Sequence, residues 1–405
     1  MKIRSMTRLL AAAALAAMAG VGCGVVGKPD TADARPSADA PQVVIDASVD
    51  AGGSGGADAP LIDAPLPTTI GAFAQAGAFQ YARMGHATVV QAGRLWIIGG
   101  NICQACLASI PHDVAGTTGH VESAPIEAAG PGTFRSDTNL IAVRNYPRAF
   151  AVSRAGHDYI YVLGGTNSTG PSNTDVFPTT IERAEVVAGG LSAFSVVSST
   201  LTVGRAGPAV LVDGDNVYVM GGSTGGATGF VSSIERAVID AQGGLGPFTP
   251  LAGSTLAVDS AYSGLAVDGN NVLLLGGVTD NNVTIATVQQ ATLTAGALNF
   301  TAVPAGTSQL RMPRAGVTTL VVGSRAFVVG GGNGSVAGNP AYADLELATA
   351  TPLGAFGPFA GMLDQNRMFA SAQVISGRYC VTGGATVATT DPTRYLSSIV
   401  CAPLQ

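Results

Sequence analysis

A Gly-Gly pair recurs six times along this chain, at Gly99-Gly100, Gly164-Gly165, Gly221-Gly222, Gly276-Gly277, Gly330-Gly331 and Gly383-Gly384. Each pair closes an apolar run: LWIIGG, IYVLGG, VYVMGG, VLLLGG, AFVVGG and YCVTGG. The pairs are separated by 65, 57, 55, 54 and 53 residues. A period of that size marks copies of one supersecondary unit that bury their apolar faces against each other. Sixteen residues before the first Gly of each pair stand Arg83, Arg148, Arg205, Ser260, Arg314 and Arg367. Five arginines in six matched places exceed what composition supplies, since Lys and Arg together number 20.

Within a unit the order reads strand, tight turn, strand, loop, strand, Gly-rich turn, strand. In the third unit RAGPAVLV leads through the turn DGDN into VYVMGG, and Asp-Gly is what a two-residue hairpin loop asks for. A variable loop follows each Gly-Gly, and then a third strand: HVESAPI, TIERAEV, SIERAVI, TVQQATL, DLELATA and SSIVCAPL. The fourth strand carries Phe134, Phe194, Phe248, Phe300 or Phe356. Four antiparallel strands per unit, repeated six times, predict an all-β fold, a six-bladed β-propeller. The last unit stops after its third strand. Ile70-Gly71-Ala72-Phe73 resembles Leu353-Gly354-Ala355-Phe356, so residues 70–81 are expected to close the last blade and remove the open seam. The Gly-Gly pairs are expected to serve backbone geometry, because a phosphate-cradling loop needs a helix after it.

A Glu-containing strand such as Ile181-Glu182-Arg183-Ala184, an aromatic about a dozen residues on, an Arg and then Gly-Gly together resemble the kelch repeat. Kelch units usually carry Tyr-Asp after the Glu and Trp at the aromatic place; this chain has mostly Ala-containing segments and Phe. The resemblance covers residues from about 70 to the end and implies a kelch-like propeller. It brings two enzyme precedents: copper oxidases resembling galactose oxidase, and sugar isomerases acting on sialic acid.

Composition narrows the classes. Only 11% of residues are charged and 47% are hydrophobic, with 55 Gly, which excludes a wholly disordered chain. A net charge of −6 argues against nucleic acid as a partner. No G-X-Y period is present, so the Gly content is not collagen.

The first 22 residues read as a secretory signal: Lys2, Arg4 and Arg8, then the short apolar stretch Leu9 to Met18, which is below the roughly 20 residues a membrane span takes. Gly-Val-Gly-Cys at 20–23 resembles the bacterial lipobox, which implies acylation of Cys23 and a lipid bilayer as partner. Residues 23–68 form an Ala/Asp/Pro/Gly tether, with Asp30, Asp33, Asp39, Asp46, Asp50, Asp58 and Asp63 spaced along it. With no aromatic residue at all, such a stretch does not bury enough surface to offset its chain entropy. Residues 69–405 are then the propeller, at the bacterial cell envelope. Gly24 after Cys23 points to the outer membrane.

The recurrent arginines are expected to bond strand-end carbonyls or Glu122, Glu182, Glu235 and Glu346; an Arg-lined channel holding an anion is the other reading. Cys103, Cys106, His112 and His120 have spacing that a Cys2His2 metal site tolerates, but a Cys103–Cys106 disulfide is the favoured reading for an oxidising compartment. Cys380 and Cys401 fall on neighbouring strands of the sixth unit and are expected to pair. His86 and His157 do not make a copper set, and no nucleophile elbow or HExxH stands out. No metal or cofactor is expected. Function is expected in the loops after Gly-Gly, chiefly 101–119 with His112 and 166–179 with Asn167, Ser168, Thr169, Ser172 and Asn173. The leading expectation is a monomeric binding or scaffold propeller with a protein or glycan ligand. The alternatives are a carbohydrate-active enzyme at the central channel and a purely structural envelope protein. An Arg-lined channel with a convergent acid would favour the enzyme, and a plugged apolar channel the binding module.

Overall fold

The computed structural model describes residues 66–113, 115–169, 174–294, 297–304, 306–387 and 392–405. Six antiparallel sheets stand in a ring. Blade one is built from Ala87–Gln91, Arg94–Ile98 and Val121–Glu127, with an outer edge of Gly130–Pro131 and Arg135–Ser136. Blade two has Arg148–Arg154, His157–Leu163 and Thr180–Val187, edged by Gly190–Leu191 and Ser195–Thr200. Blade three runs Ala209–Asp213, Asn216–Met220, Ser233–Val238 and Thr249–Thr255. Blade four has Gly264–Asp268, Asn271–Thr279 and Val283–Thr294, edged by Ala297–Leu298 and Thr301–Ala302. Blade five runs Thr318–Val322, Arg325–Val329, Asp344–Thr349 and Gly357–Met362. The first strand of each blade is innermost, and these strands neighbour one another around the axis, blade six against blade one included.

The sixth blade closes as the sequence implies. Its strands Ser371–Ile375, Arg378–Thr382 and Ser398–Pro403 take Ala74–Ala78 from the N-terminal side as their fourth. Ala74 pairs with Cys401 and Ala78 with Ser398, across a bulge between Gln75 and Gly77. Ile70 bridges Leu404, and the N–H groups of Thr68 and Thr69 donate to the Gln405 carbonyl. Cys380 lies directly opposite Cys401, and the two are bridged with Cα atoms 4.0 Å apart.

Both faces of each blade are buried, so the strands read as continuous apolar runs, where one-sided sheets alternate apolar and polar. In blade one Trp96 and Ile98 pack against Ile160 and Val162 of blade two. Leu95 and Ile97, on the other face, pack against Ile375 and Ile399 of blade six. Four similar layers fill the remaining interfaces. The two faces of the ring differ. Tight hairpins such as Ala92-Gly93 and Ser376-Gly377, with φ values of 49° and 67° and of 47° and 69°, lie on one, here the hairpin face. The Gly-Gly pairs and the variable loops lie on the other, the loop face.

Candidate functional site: the loop face and its axial mouth

The Gly-Gly pairs hold the ring together. Both residues of every pair are left-handed, with φ between 54° and 115°, a region costly for any residue with a Cβ. The first carbonyl accepts from Nη1 of an arginine in the same unit: Gly99 from Arg83, Gly164 from Arg144, Gly221 from Arg205, Gly330 from Arg314 and Gly383 from Arg367, at 2.9–3.0 Å. The second N–H donates to the main-chain carbonyl of the next unit: Gly100 to Arg144, Gly165 to Arg205, Gly222 to Ser260, Gly277 to Arg314, Gly331 to Arg367 and Gly384 back to Arg83. These contacts form a closed circuit through all six blades.

Each of these five guanidinium groups also finds an anion. Arg83 pairs with Glu122, Arg205 with Glu235, Arg144 with Glu182 at 3.0 Å and Arg314 with Glu346 at 2.7 Å. The carboxylates in turn accept main-chain N–H groups from the segment before the arginine, as Glu182 does from Ile141 at 2.6 Å and Glu235 from Thr202 at 2.7 Å. Burial pulls the Arg83 guanidinium below its ordinary value against the pull of Glu122. Burial likewise pushes the Glu122 carboxyl up, opposed by Arg83. Blade four replaces the charged pair by a neutral one: Gln289 occupies the Glu position, its Nε2 3.2 Å from Ser260 Oγ, and Ser263 bonds the Gly276 carbonyl at 2.8 Å. Blade six has Val400 at the Glu position, and Arg367 takes Asp364 at 2.9 Å.

In blade two the latch arginine is Arg144, where sequence spacing points to Arg148. The inner hairpin of that blade has strands of seven residues, against five in the inner strands of the other blades, so counting back sixteen positions from Gly164 stops four residues short of the latch. Arg148 instead begins the inner strand at the channel, 2% exposed.

The axis is closed on the loop face. Two residues beyond each latch position stand Gly85, Tyr146, Gly207, Tyr262, Gly316 and Phe369, glycine and aromatic alternating. All six are left-handed, with φ of 56–69°. Their main chains form a ring of hydrogen bonds, each N–H donating to the preceding blade: Tyr146 to Gly85, Gly207 to Tyr146, Tyr262 to Gly207, Gly316 to Tyr262, Phe369 to Gly316 and Gly85 to Phe369, at 2.7–3.2 Å. Each aromatic ring covers the glycine before it, and a Cβ on any of the three glycines would meet that ring. Tyr146 lies 5.8 Å from Tyr262 and 6.1 Å from Phe369 between ring centroids. Met84, Ala206, Ala261, Ala315 and Met368 complete the apolar plug, with Tyr395 and Phe230.

Around this plug sit the loops. Cys103 and Cys106 are bridged at either end of a single 3-10 turn, with Cα atoms 5.1 Å apart. Cys103 packs both on the plug and on a small cluster of Ile102, Cys106 and Ile110. His112 is exposed, its Nδ1 2.6 Å from the Asp113 carbonyl. His120 is turned into blade one, Nδ1 3.1 Å from Arg83 Nη2 and Nε2 3.0 Å from Ser136 Oγ, and does not join the cysteines. Burial and then Arg83 bring its pKa down to about 4. His86 is buried at the seam of blades six and one, with Nε2 2.9 Å from Thr382 Oγ1, whereas His157 lies beside Glu185 on the hairpin side of blade two. Among the described residues no three His, Cys, Asp or Glu side chains come together as a metal set. Asn167 starts the hairpin Asn167–Thr169 with Thr174–Val176 and donates from Nδ2 to the Val143 carbonyl at 3.3 Å. Asn173 and Cys23 lie outside the described residues. The loops and the segments entering the axis expose Ile141, Val176, Val203, Val283 and Val336. The axial ring was missed in reading the sequence, although the triplets RMG, RNY, RAG, SAY, RAG and RMF carry it.

No family model and no curated protein matches this chain. A solved structure described as "Structure of YjhT" is similar, with a TM-score of 0.60 over 80% of this chain and 95% of that one at 12% identity. The likeness is one of fold: a propeller-type ring.

Proposed function

We propose that this is a kelch-type propeller held at a bacterial cell envelope through acylated Cys23, acting there as a binding module whose loop face engages a protein or glycan. The observation that carries the reading is the sealed axis. Tyr146, Tyr262 and Phe369 fill the mouth, and the latch arginines are committed to Glu122, Glu182, Glu235, Glu346 and Asp364. The latch arginines therefore do not line an open channel, which favours the binding reading. What remains for recognition is a rigid platform carrying varied loops, the arrangement on which binding sites are commonly built. The aliphatic side chains exposed on that face suit contact with a partner.

The entry of the chain supports the same orientation. Thr68 lies against Gly323 in a blade-five hairpin, and Thr69 pairs with Gln405, so the N-terminal segment joins on the hairpin face. An anchor at Cys23 would then attach on the face opposite the loops, which would leave the loops directed away from the bilayer.

The test is capture of partners by the full chain, alongside a glycan array. Saturable binding that disappears when loops 101–119 and 166–179 are exchanged for Gly/Ser segments is the expected result. Turnover of a sugar without stoichiometric binding would overturn the reading. Cys23→Ser should move the protein from the membrane fraction to the soluble one.

A further inference from the structure

The two disulfides sit in opposite settings. Cys380–Cys401 joins neighbouring strands of blade six across a sequence separation of 21, and both residues are sealed in the layer between blades six and one. Cys103–Cys106 spans a separation of 3 within one 3-10 turn at the rim of the loop face. There Cys103 is half-buried, Cys106 is 8% exposed, and Ala105 between them is exposed. By chain entropy the short bridge constrains the unfolded state roughly half as much as the long one.

The loop has ties of its own. Asn101 pairs with Thr117 and His112 with Thr118. The Ile102 N–H donates to the Gly116 carbonyl at 3.0 Å, and the Cys103 N–H to the Ala82 carbonyl at 2.8 Å. Asp113 Oδ1 accepts from the N–H groups of Ala115 and Thr117, both at 2.9 Å. The turn is closed by a hydrogen bond as well, since the Cys106 N–H donates to the Cys103 carbonyl at 2.9 Å. Ile102 and Ile110 pack against Cys106. These ties keep the two sulfurs together whether or not they are bonded to each other. The blade-six turn Pro392–Arg394 lies alongside and brings the exposed Arg394 to the same corner. A nearby cation favours the thiolate, the form on which exchange depends. A bridge that its loop does not need for shape, placed at the surface and near positive charge, has the chemistry of an exchanging couple.

We propose that Cys103 and Cys106 are a redox couple that oxidises dithiols at the rim of the loop face. A thiolate of the dithiol attacks the sulfur of Cys103, the more exposed of the two residues. The Cys103–Cys106 bond breaks, and its electron pair leaves on Cys106 Sγ, which takes up a proton. The second thiolate of the substrate then attacks the substrate sulfur of the mixed disulfide. Cys103 leaves as a thiolate and takes up the second proton. The substrate has lost two electrons and two protons and gained a disulfide, and the couple is reduced. A low-molecular-weight disulfide returns it to the oxidised form by the same steps in reverse.

The test uses the full chain, folded, with free thiols alkylated and located by mass spectrometry. In reduced glutathione Cys103 and Cys106 should become alkylated about tenfold faster than Cys380 and Cys401, or more, with the near-ultraviolet circular dichroism unchanged. With glutathione disulfide as oxidant, the parent should speed oxidation of a reduced dithiol peptide, and Cys103→Ala/Cys106→Ala should not. Cys106→Ala should take up one glutathione on Cys103, and Cys103→Ala should react at Cys106 about tenfold more slowly. The double variant should lose no more than about half the Tm lost by Cys380→Ala/Cys401→Ala. A bridge that resists glutathione until the protein unfolds would overturn the assignment. So would peptide oxidation no faster with the parent than with the double variant, faster uptake at Cys106 than at Cys103, or a Tm loss matching that of the blade-six pair.

Discussion

The axial ring makes a sharp demand on Gly316. Its φ is +69°, and a Cβ there would lie 2.5 Å from Phe369 Cδ1, 2.7 Å from Cε1 and 2.9 Å from the Phe369 main-chain nitrogen. Phe369 is wholly buried, between Tyr146 and the plug, so the ring has little room to yield. In Gly316→Ala the left-handed backbone costs about 1–2 kcal/mol, and overpacking the ring adds about 1–3 kcal/mol, for a loss of about 2–5 kcal/mol. Phe369→Ala alone should cost about 3–5 kcal/mol as a buried aromatic truncation. The double variant separates the two terms, because removing the ring relieves the side-chain clash and leaves the backbone cost. Its loss should fall short of the sum by about 1–2 kcal/mol, the residue of crowding against the Phe369 nitrogen limiting the relief. Urea denaturation followed by tyrosine and tryptophan fluorescence gives all three values. A Gly316→Ala protein within about 0.5 kcal/mol of the parent, or strict additivity with Phe369→Ala, would refute the reasoning.

Two further outcomes follow from the buried charges. Glu235→Ala leaves Arg205 without its carboxylate in a fully buried site and should cost about 3–5 kcal/mol in the same assay. Arg205→Ser with Glu235→Gln, which copies Ser260 and Gln289 of blade four, should recover most of that loss; a double variant as unstable as the single one would contradict the latch. Burial first, and Arg83 second, bring the pKa of His86 down to about 3, whereas the unfolded chain takes up that proton near its ordinary value of about 6.5. The unfolded state therefore binds more protons between these limits. The contribution of His86 is fully present above about pH 6.5 and declines by up to about 1.4 kcal/mol per pH unit as pH falls toward 3. His86→Gln should flatten the urea midpoint between pH 6.5 and 4 relative to the parent, and an unchanged slope would exclude the mechanism.

The ring and its closure were legible because glycine is hard to replace where φ is positive: the doublets survive as a ruler even where the strands vary. Unit count, four-strand grammar, the borrowed N-terminal strand and both cysteine pairs could be read from spacing or from strand order. Arg148 was misplaced by the same ruler, since two extra residues in each strand of one hairpin shift the count without altering the motif. The partners Glu122, Glu182, Glu235 and Glu346 were readable from strand position, but Asp364 was not, because it reaches Arg367 from a loop and not from the third strand. The axial plug escaped because its members share a backbone state rather than a residue type. Tyr146 and Gly207 look unrelated until both are seen at positive φ.

Alternation at the axis carries an arithmetic constraint on ancestry. Large and absent side chains take turns around a closed circle, which is consistent only when the tally of vanes is even. Gain or loss of a single vane would bring two bulky rings together or leave a gap, so a viable relative with five or seven would have to abandon the pattern. Growth by paired duplication would keep it.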